Sequence, residues 1–129
     1  MLVVLDSTVL IDYLRGRPVV DRVLALRASQ DIPATTAINV EEIVRGLRGN
    51  ETRAADTLLA GLRILPITEP CARLAGRWRR EFARKGTTLW QADCLVTAAV
   101  VGSDARLATG NPKDFPMPDL TVEHWRVGR

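Results

Sequence analysis

The chain begins with a short apolar run, Leu2-Val3-Val4-Leu5, that ends in a carboxylate, Asp6. Four apolar residues, two of them β-branched, read as a strand buried on both faces. Such a strand belongs in a parallel sheet with helices above and below. Ser7 or Thr8 supplies a hydroxyl where a helix cap belongs, and Val9 to Leu14 read as the first turns of a helix. A strand passing at once into a helix commits the chain to an α/β architecture. It also places Asp6 at the carboxyl end of a strand, facing a helix N-terminus. Ligands of open α/β sheets bind in that crevice. A buried carboxylate is costly unless paired, so Asp6 either caps the helix or helps to hold a divalent cation.

The remaining pattern repeats the alternation. Pro18 suits the first turn of a second helix carrying Val19, Val23, Leu24 and Leu26. Asp31 to Thr35 reads as a second strand. Thr36 or Asn39 then caps a helix with Val40, Ile43, Val44 and Leu47 on one face. Glu51 to Leu62 form another helix, and Ile64 to Ile67 a strand whose Pro66 places it near an edge. Glu69 to Arg84 are helical, with Leu74, Trp78 and Phe82 spaced by four. Leu89 to Val101 make a nearly all-apolar, central helix. Arg106 to Thr109 are a short strand, residues 110–115 a turn-rich loop, and Leu120 to Val122 a last strand. The expected fold is a central parallel sheet of four to five strands with helices on both faces, in one domain over residues 1–129.

Composition excludes several classes. At 129 residues, 47% hydrophobic and 26% charged, the chain has the balance of an ordinary globular domain. No run of eighteen apolar residues exists, and the opening run is too short for a signal-peptide core, so a cytoplasmic protein is expected. Cys71, Cys94 and the one His124 make neither a disulfide framework nor a zinc site. Net charge is only +3, but Arg73, Arg77, Arg79, Arg80, Arg84 and Lys85 cluster against a single Glu81. Arg15, Arg17, Arg45 and Arg48 add a second basic group. Clustering of this kind favours a polyanionic partner.

Carboxylates in apolar or structured segments are the candidates for chemistry. Asp93 lies near the start of the most apolar helix, where the helix dipole favours an acid. Glu41 and Glu42 both lie off the apolar face of their helix, and periodicity does not choose between them. Asn111 and Asp114 follow a strand as Asp6 does. Several carboxylates on one rim repel each other, and without a cation at least one is pushed toward its protonated form. Mg²⁺ or Mn²⁺ suits such hard oxygen ligands. A metal-activated water attacking a phosphodiester is the chemistry that follows, and it needs no histidine.

Four blocks resemble one family. They are Val4 to Asp12, Thr36 to Gly46, Gln91 to Ala99, and Leu107 to Phe115. In order and spacing they are similar to the PIN-domain ribonucleases, and within them to the VapC toxins of bacterial toxin–antitoxin pairs. That family places its glutamate four residues before a glycine, which selects Glu42. The resemblance implies an Mg²⁺-dependent endoribonuclease, with Mn²⁺ as a substitute, whose catalytic set is Asp6, Glu42, Asp93 and Asp114. Asp6, Glu42 and Asp93 would hold the metal, and Thr8, Thr109 and Asn111 would support them. The family's fourth acid often falls where this chain has Asn111, which leaves Asn111 and Asp114 as alternatives for that position. The implied partners are a VapB-type antitoxin, an RNA such as tRNA or rRNA, and a second copy of the chain.

Arg15, Arg45, Arg73, Arg77 and Arg80 are the expected phosphate contacts. The antitoxin is expected between the helices of residues 9–26 and 38–62, and Trp78 and Trp90 at a two-fold dimer contact. A haloacid-dehalogenase-like phosphatase would want a second Asp where Thr8 stands, and a receiver-like domain would want paired acids on the first strand. A catalytically impaired PIN-fold binding module is the remaining alternative; the acids argue against it.

Overall fold

The computed structural model describes residues 1–128. Its elements are β1 (Leu2–Leu5), α1 (Ser7–Leu14), α2 (Val19–Ala28), β2 (Ile32–Thr36), α3 (Ala37–Arg45), α4 (Thr52–Ala60), β3 (Arg63–Leu65), α5 (Glu69–Arg84), α6 (Gln91–Gly102), β4 (Arg106–Thr109) and β5 (Val122–His124). A single 3₁₀ turn, Pro112–Asp114, lies between β4 and β5. The sheet is parallel throughout, in the order β3-β2-β1-β4-β5. The order reverses direction beside β1, so the β1/β4 boundary is the topological switch point where such sheets form a crevice. No helix among the described residues is long and apolar enough to cross a membrane.

Side-chain alternation along β1 divides the core in two. Val3 and Leu5 face one layer, with Val9, Leu10, Val23, Ile43 and Leu58 from α1 to α4. Val4 faces the other, with Trp78, Cys94, Val96, Val100 and Phe115. Helices therefore cover both faces, as a fully buried central strand requires. Pairing of Leu5 with Ala108 sets the ends of β1 and β4 level, and this brings Asp6 beside Thr109.

Several sequence expectations shift. α1 starts at Ser7 with Asp6 in the cap position, and neither Ser7 nor Thr8 caps it, because both hydroxyls turn into the crevice. In α3 the inward residues are Asn39 and Ile43, while Val44 is 56% exposed; the inner face is part polar. Leu24 is likewise half-exposed. The last strand is Val122–His124 rather than Leu120 to Val122, because its register is set by pairing of Val122 with Leu107 and His124 with Thr109. Trp78 is 5% exposed within the α5/α6 core, which removes it from any contact between copies.

The C-terminal tail, which no motif in the sequence marks, is fixed to the body of the fold. Trp125 is buried against the α1/α2 layer, its backbone N–H donates to the Thr109 carbonyl at 2.8 Å, and the Arg22 guanidinium stacks 4.4 Å from its ring. The tail is then held by Asp12, a buried acid on α1 that accepts the Gly128 N–H at 3.0 and 3.1 Å. Arg17 Nε lies 3.8 Å from the same carboxylate. Hydrogen bonds to a charged acceptor are worth about 1.5–3 kcal/mol. Asp12→Ala should lower unfolding free energy by about that amount in urea titration. Unchanged stability would mean the tail is held by Trp125 alone.

Candidate active site

The crevice is built around Asp6. Asp6 is 7% exposed, and its carboxylate accepts three hydrogen bonds from three segments. Asn39 Nδ2 on α3 reaches Oδ1 at 3.2 Å. Thr109 Oγ1, ending β4, reaches Oδ2 at 2.8 Å, and Thr8 Oγ1 the same atom at 3.1 Å. A buried carboxylate is tolerated when its lone pairs are met in this way.

Asn39 is itself fixed by a reciprocal cap at the start of α3. Its backbone N–H donates to Thr36 Oγ1 at 3.4 Å, while its Oδ1 accepts from the Thr36 N–H at 3.3 Å and the Thr36 hydroxyl at 2.8 Å. With Oδ1 engaged there, Nδ2 must face the crevice, where it donates to Ser7 Oγ at 2.9 Å as well as to Asp6. Ser7 Oγ donates in turn to Glu42 Oε1 at 2.7 Å. The ambiguity between Glu41 and Glu42 is thereby resolved geometrically. Glu42 turns inward beside buried Ile43, and Glu41 pairs on the surface with Arg45 at 3.1 Å.

Asp93 enters from the first turn of α6, half-buried. Its carboxyl is pushed up from 3.8 to about 6, chiefly by burial, then by the charges of Asp114, Asp6 and Glu42. The helix dipole favours the ionised acid at this position, so burial and like charge together outweigh it. All four expected acids therefore share one electrostatic neighbourhood. Asn111 does not stand alone at the fourth position: its Nδ2 donates to Asp114 Oδ2 at 2.6 Å, and its backbone N–H to Thr109 Oγ1 at 3.1 Å. The side chains are spread along the crevice, and among the described residues no three acids, histidines or cysteines converge on one point as they stand.

Gly110 makes a close approach necessary here. A Cβ at this position would lie 2.8 Å from Val127 and 3.3 Å from Thr8 Oγ1. Its N–H donates to Thr8 Oγ1 at 2.9 Å. The tail anchored by Asp12 is thus packed against the loop that carries Thr109 and Asn111.

The expected phosphate-binding arginines separate into groups. Arg73, Arg77 and Arg80 line one open groove on α5, spaced so that they share a helix face. Arg73 also pairs with Glu69 at 2.7 Å. Arg45 is tied to Glu41. Arg15 is only 24% exposed and points at Glu51, 3.8 Å away, so the fold uses its guanidinium internally. Ser7 and Asn39, which the sequence does not single out as site residues, belong to the network around Asp6. The available clue was Thr36-x-x-Asn39, a capping box whose reciprocating residue is an amide with donors to spare.

A family model described as PIN domain matches residues 3–116, and the chain belongs to that family. Within it, the chain is homologous to VapC ribonucleases. It is 37% identical over 117 residues to "Ribonuclease VapC10" of Mycobacterium tuberculosis, covering 90% of this chain and 87% of that protein. It is 31% identical over 119 residues to "Ribonuclease VapC19" of the same organism, covering 90% and 94%. Among solved structures, VapBC2 from Rickettsia felis, bound to a promoter DNA fragment, shares the fold with a TM-score of 0.82 at 23% identity, covering 97% and 99% of the two chains. FitAcB from Neisseria gonorrhoeae matches with a TM-score of 0.73 at 27% identity, covering 95% and 96%.

The raised value of Asp93 has a stability consequence. The folded state holds this proton more tightly than the unfolded chain, so the contribution is fully present below pH 3.8 and is lost as pH rises through about 6. Asp93→Asn should therefore be more stable than wild type at pH 7.5, with the gap closing by pH 4. Thermal unfolding of both proteins across that range checks it; a gap that does not change with pH would refute the assignment.

Proposed function

We propose that the protein is an Mg²⁺-dependent endoribonuclease, the toxin of a toxin–antitoxin pair. The observation that carries the reading is the gathering of Asp6, Glu42, Asp93 and Asp114 at one sheet crevice, with Asp93 destabilised as an anion chiefly by burial and further by the other three. The donor set is all oxygen, as a hard divalent cation requires. Asp6, Glu42 and Asp93 would hold Mg²⁺, or Mn²⁺ in its place, with Asp114 beside Asp93. The chemistry such an ion supplies is Lewis acidity toward a water and toward the oxygens of a phosphodiester.

The chain's own contribution is placement. Asn39, Thr8 and Thr109 aim the Asp6 carboxylate. Ser7 aims Glu42, and Asn111 aims Asp114. The Arg73, Arg77 and Arg80 face of α5 supplies phosphate contacts that hold RNA without reading its sequence. The named relatives support ribonuclease activity as the reaction class.

A VapB-type antitoxin is the proposed partner, since structures of this fold include toxin–antitoxin complexes. A groove lined by Tyr13, Arg27, Asn50, Arg53, Ala54, Thr57 and Leu58 lies where the antitoxin is expected, among the α1, α2 and α4 helices. tRNA or rRNA as the substrate, a homodimer as the assembly and a cytoplasmic location complete the reading.

Asp6→Asn and Asp93→Asn should each abolish RNA cleavage while circular dichroism shows an intact fold, and EDTA should do the same to wild type. Full cleavage by folded Asp6→Asn, or cleavage indifferent to EDTA, would sink the proposal. Removing charge at Arg77 and Arg80 together should weaken binding to all RNAs. It should also flatten the log–log salt dependence by about 0.7 per lost contact for a single strand. A loss confined to one RNA sequence would contradict backbone binding.

A further inference from the structure

The three tryptophans of this chain stand in different surroundings. Trp78 and Trp125 are 5% and 3% exposed, whereas Trp90 is 72% exposed. Trp90 occupies the cap position of α6 in an extended conformation and makes no capping bond. Small polar residues favour that position because their side chains satisfy a backbone N–H; an indole does not, so helix formation gives no reason for it. Core packing gives none either, since the ring lies in solvent.

Its position relative to the acids does give one. Trp90 and Asp93 are one helical turn apart and both line a small cleft. The other walls of that cleft are Thr87, Thr88, Leu89, Lys113, Asp114 and Pro116. The cleft thus joins an exposed aromatic face, a lysine and two of the four site acids. An acidic crevice repels a polyanion. A strand entering it needs an attachment that does not depend on charge, and a π-face supplies one, because every base stacks on an indole.

We propose that Trp90 is a stacking platform for one nucleobase of single-stranded RNA, holding the neighbouring phosphodiester at Asp93 and Asp114. This rests on the ribonuclease reading above and adds the feature of the substrate that the site grips. Lys113, in the same cleft, stands where a flanking phosphate would pass. A protein partner on Trp90 fits the surroundings less well. A stable interface buries about 800 Å² per partner around an apolar centre. The other exposed large apolar residues, Met1, Leu24, Ile32, Val44 and Ile64, do not line this cleft. Trp90 stands instead among exposed Thr87, Thr88 and Gln91.

The experiment is a fluorescence titration with hexa-adenylate, and with an abasic ribose phosphate of the same length, in an Asp6→Asn background that keeps the RNA whole. Hexa-adenylate should quench the solvent-exposed part of the emission, the part missing from Trp90→Phe. Trp90→Ala should weaken binding about 5- to 150-fold, the range a single base–aromatic stack is worth. Trp90→Phe should restore most of it and Trp90→Leu should not, and the abasic chain should bind all four proteins equally. Salt dependence should be the same for wild type and Trp90→Ala, unlike the arginine variants.

Equal binding by wild type and Trp90→Ala, rescue by Leu as complete as by Phe, or no quenching up to millimolar hexa-adenylate overturns the proposal. So does Trp90 emission shielded from the neutral quencher acrylamide in the free protein, which would mean that a second copy covers the ring. Cleavage of RNA by the unsubstituted protein is scored separately. If it fails while the stacking results hold, the ribonuclease reading falls and the base-binding site remains.

Discussion

The structure depends on a buried carboxylate that every neighbouring element must serve. Asp6 ends β1 at the sheet's switch point, where β2 leads away on one side and β4 on the other. Burying it is tolerable only if donors surround it, and they come from α1, α3 and the end of β4. Each donor is held in place by its own local structure. Asn39 is locked by a reciprocal cap, Thr109 by strand register, and Thr8 by the loop N–H of Gly110. A satisfied polar network of this kind defines a single geometry, because any shift leaves a buried group unpaired.

Charge is sorted by place. Acids collect in the crevice, where Asp93 is held above the usual carboxylate range by its burial and its neighbours. Cations collect on α5, where Arg73, Arg77 and Arg80 share a groove. Arg15, which looks equivalent in the chain, is spent on the protein itself at Glu51, whereas Arg45 pairs on the surface with Glu41 as Arg73 does with Glu69. The separation matters for a polyanion. On the proposed reading, basic residues attract a polyanion at long range and the acids are left for a cation.

The tail extends the same dependence over the whole chain. Asp12 holds Gly128, Val127 packs on Gly110, and Gly110 bonds Thr8. Residues far apart in the chain therefore meet behind the Thr8 hydroxyl that bonds Asp6. A second buried acid, Asp12, has its carboxylate occupied by backbone and by Arg17 and takes no part in the crevice.

The order of strands and helices was legible in the sequence, because buried parallel strands and amphipathic helices carry their periods in short windows. Asp6 and Asp93 were legible too, each an acid at the edge of an apolar run. What the windows do not contain is which of two similar residues turns inward. Glu42 rather than Glu41, and Thr36 as the cap with Asn39 as its buried reciprocal partner, follow from the rotation of α3 against α1. Trp78 in the core and Trp90 in solvent follow from how α5 packs on α6. The last strand lies two residues later than its apolar pattern suggests, because backbone pairing to β4 sets the register. The sequence by itself determined the elements and the inventory of acids. Tertiary structure alone decided which polar groups are buried, since the donors that make burial tolerable for Asp6 come from as far as 103 residues away along the chain.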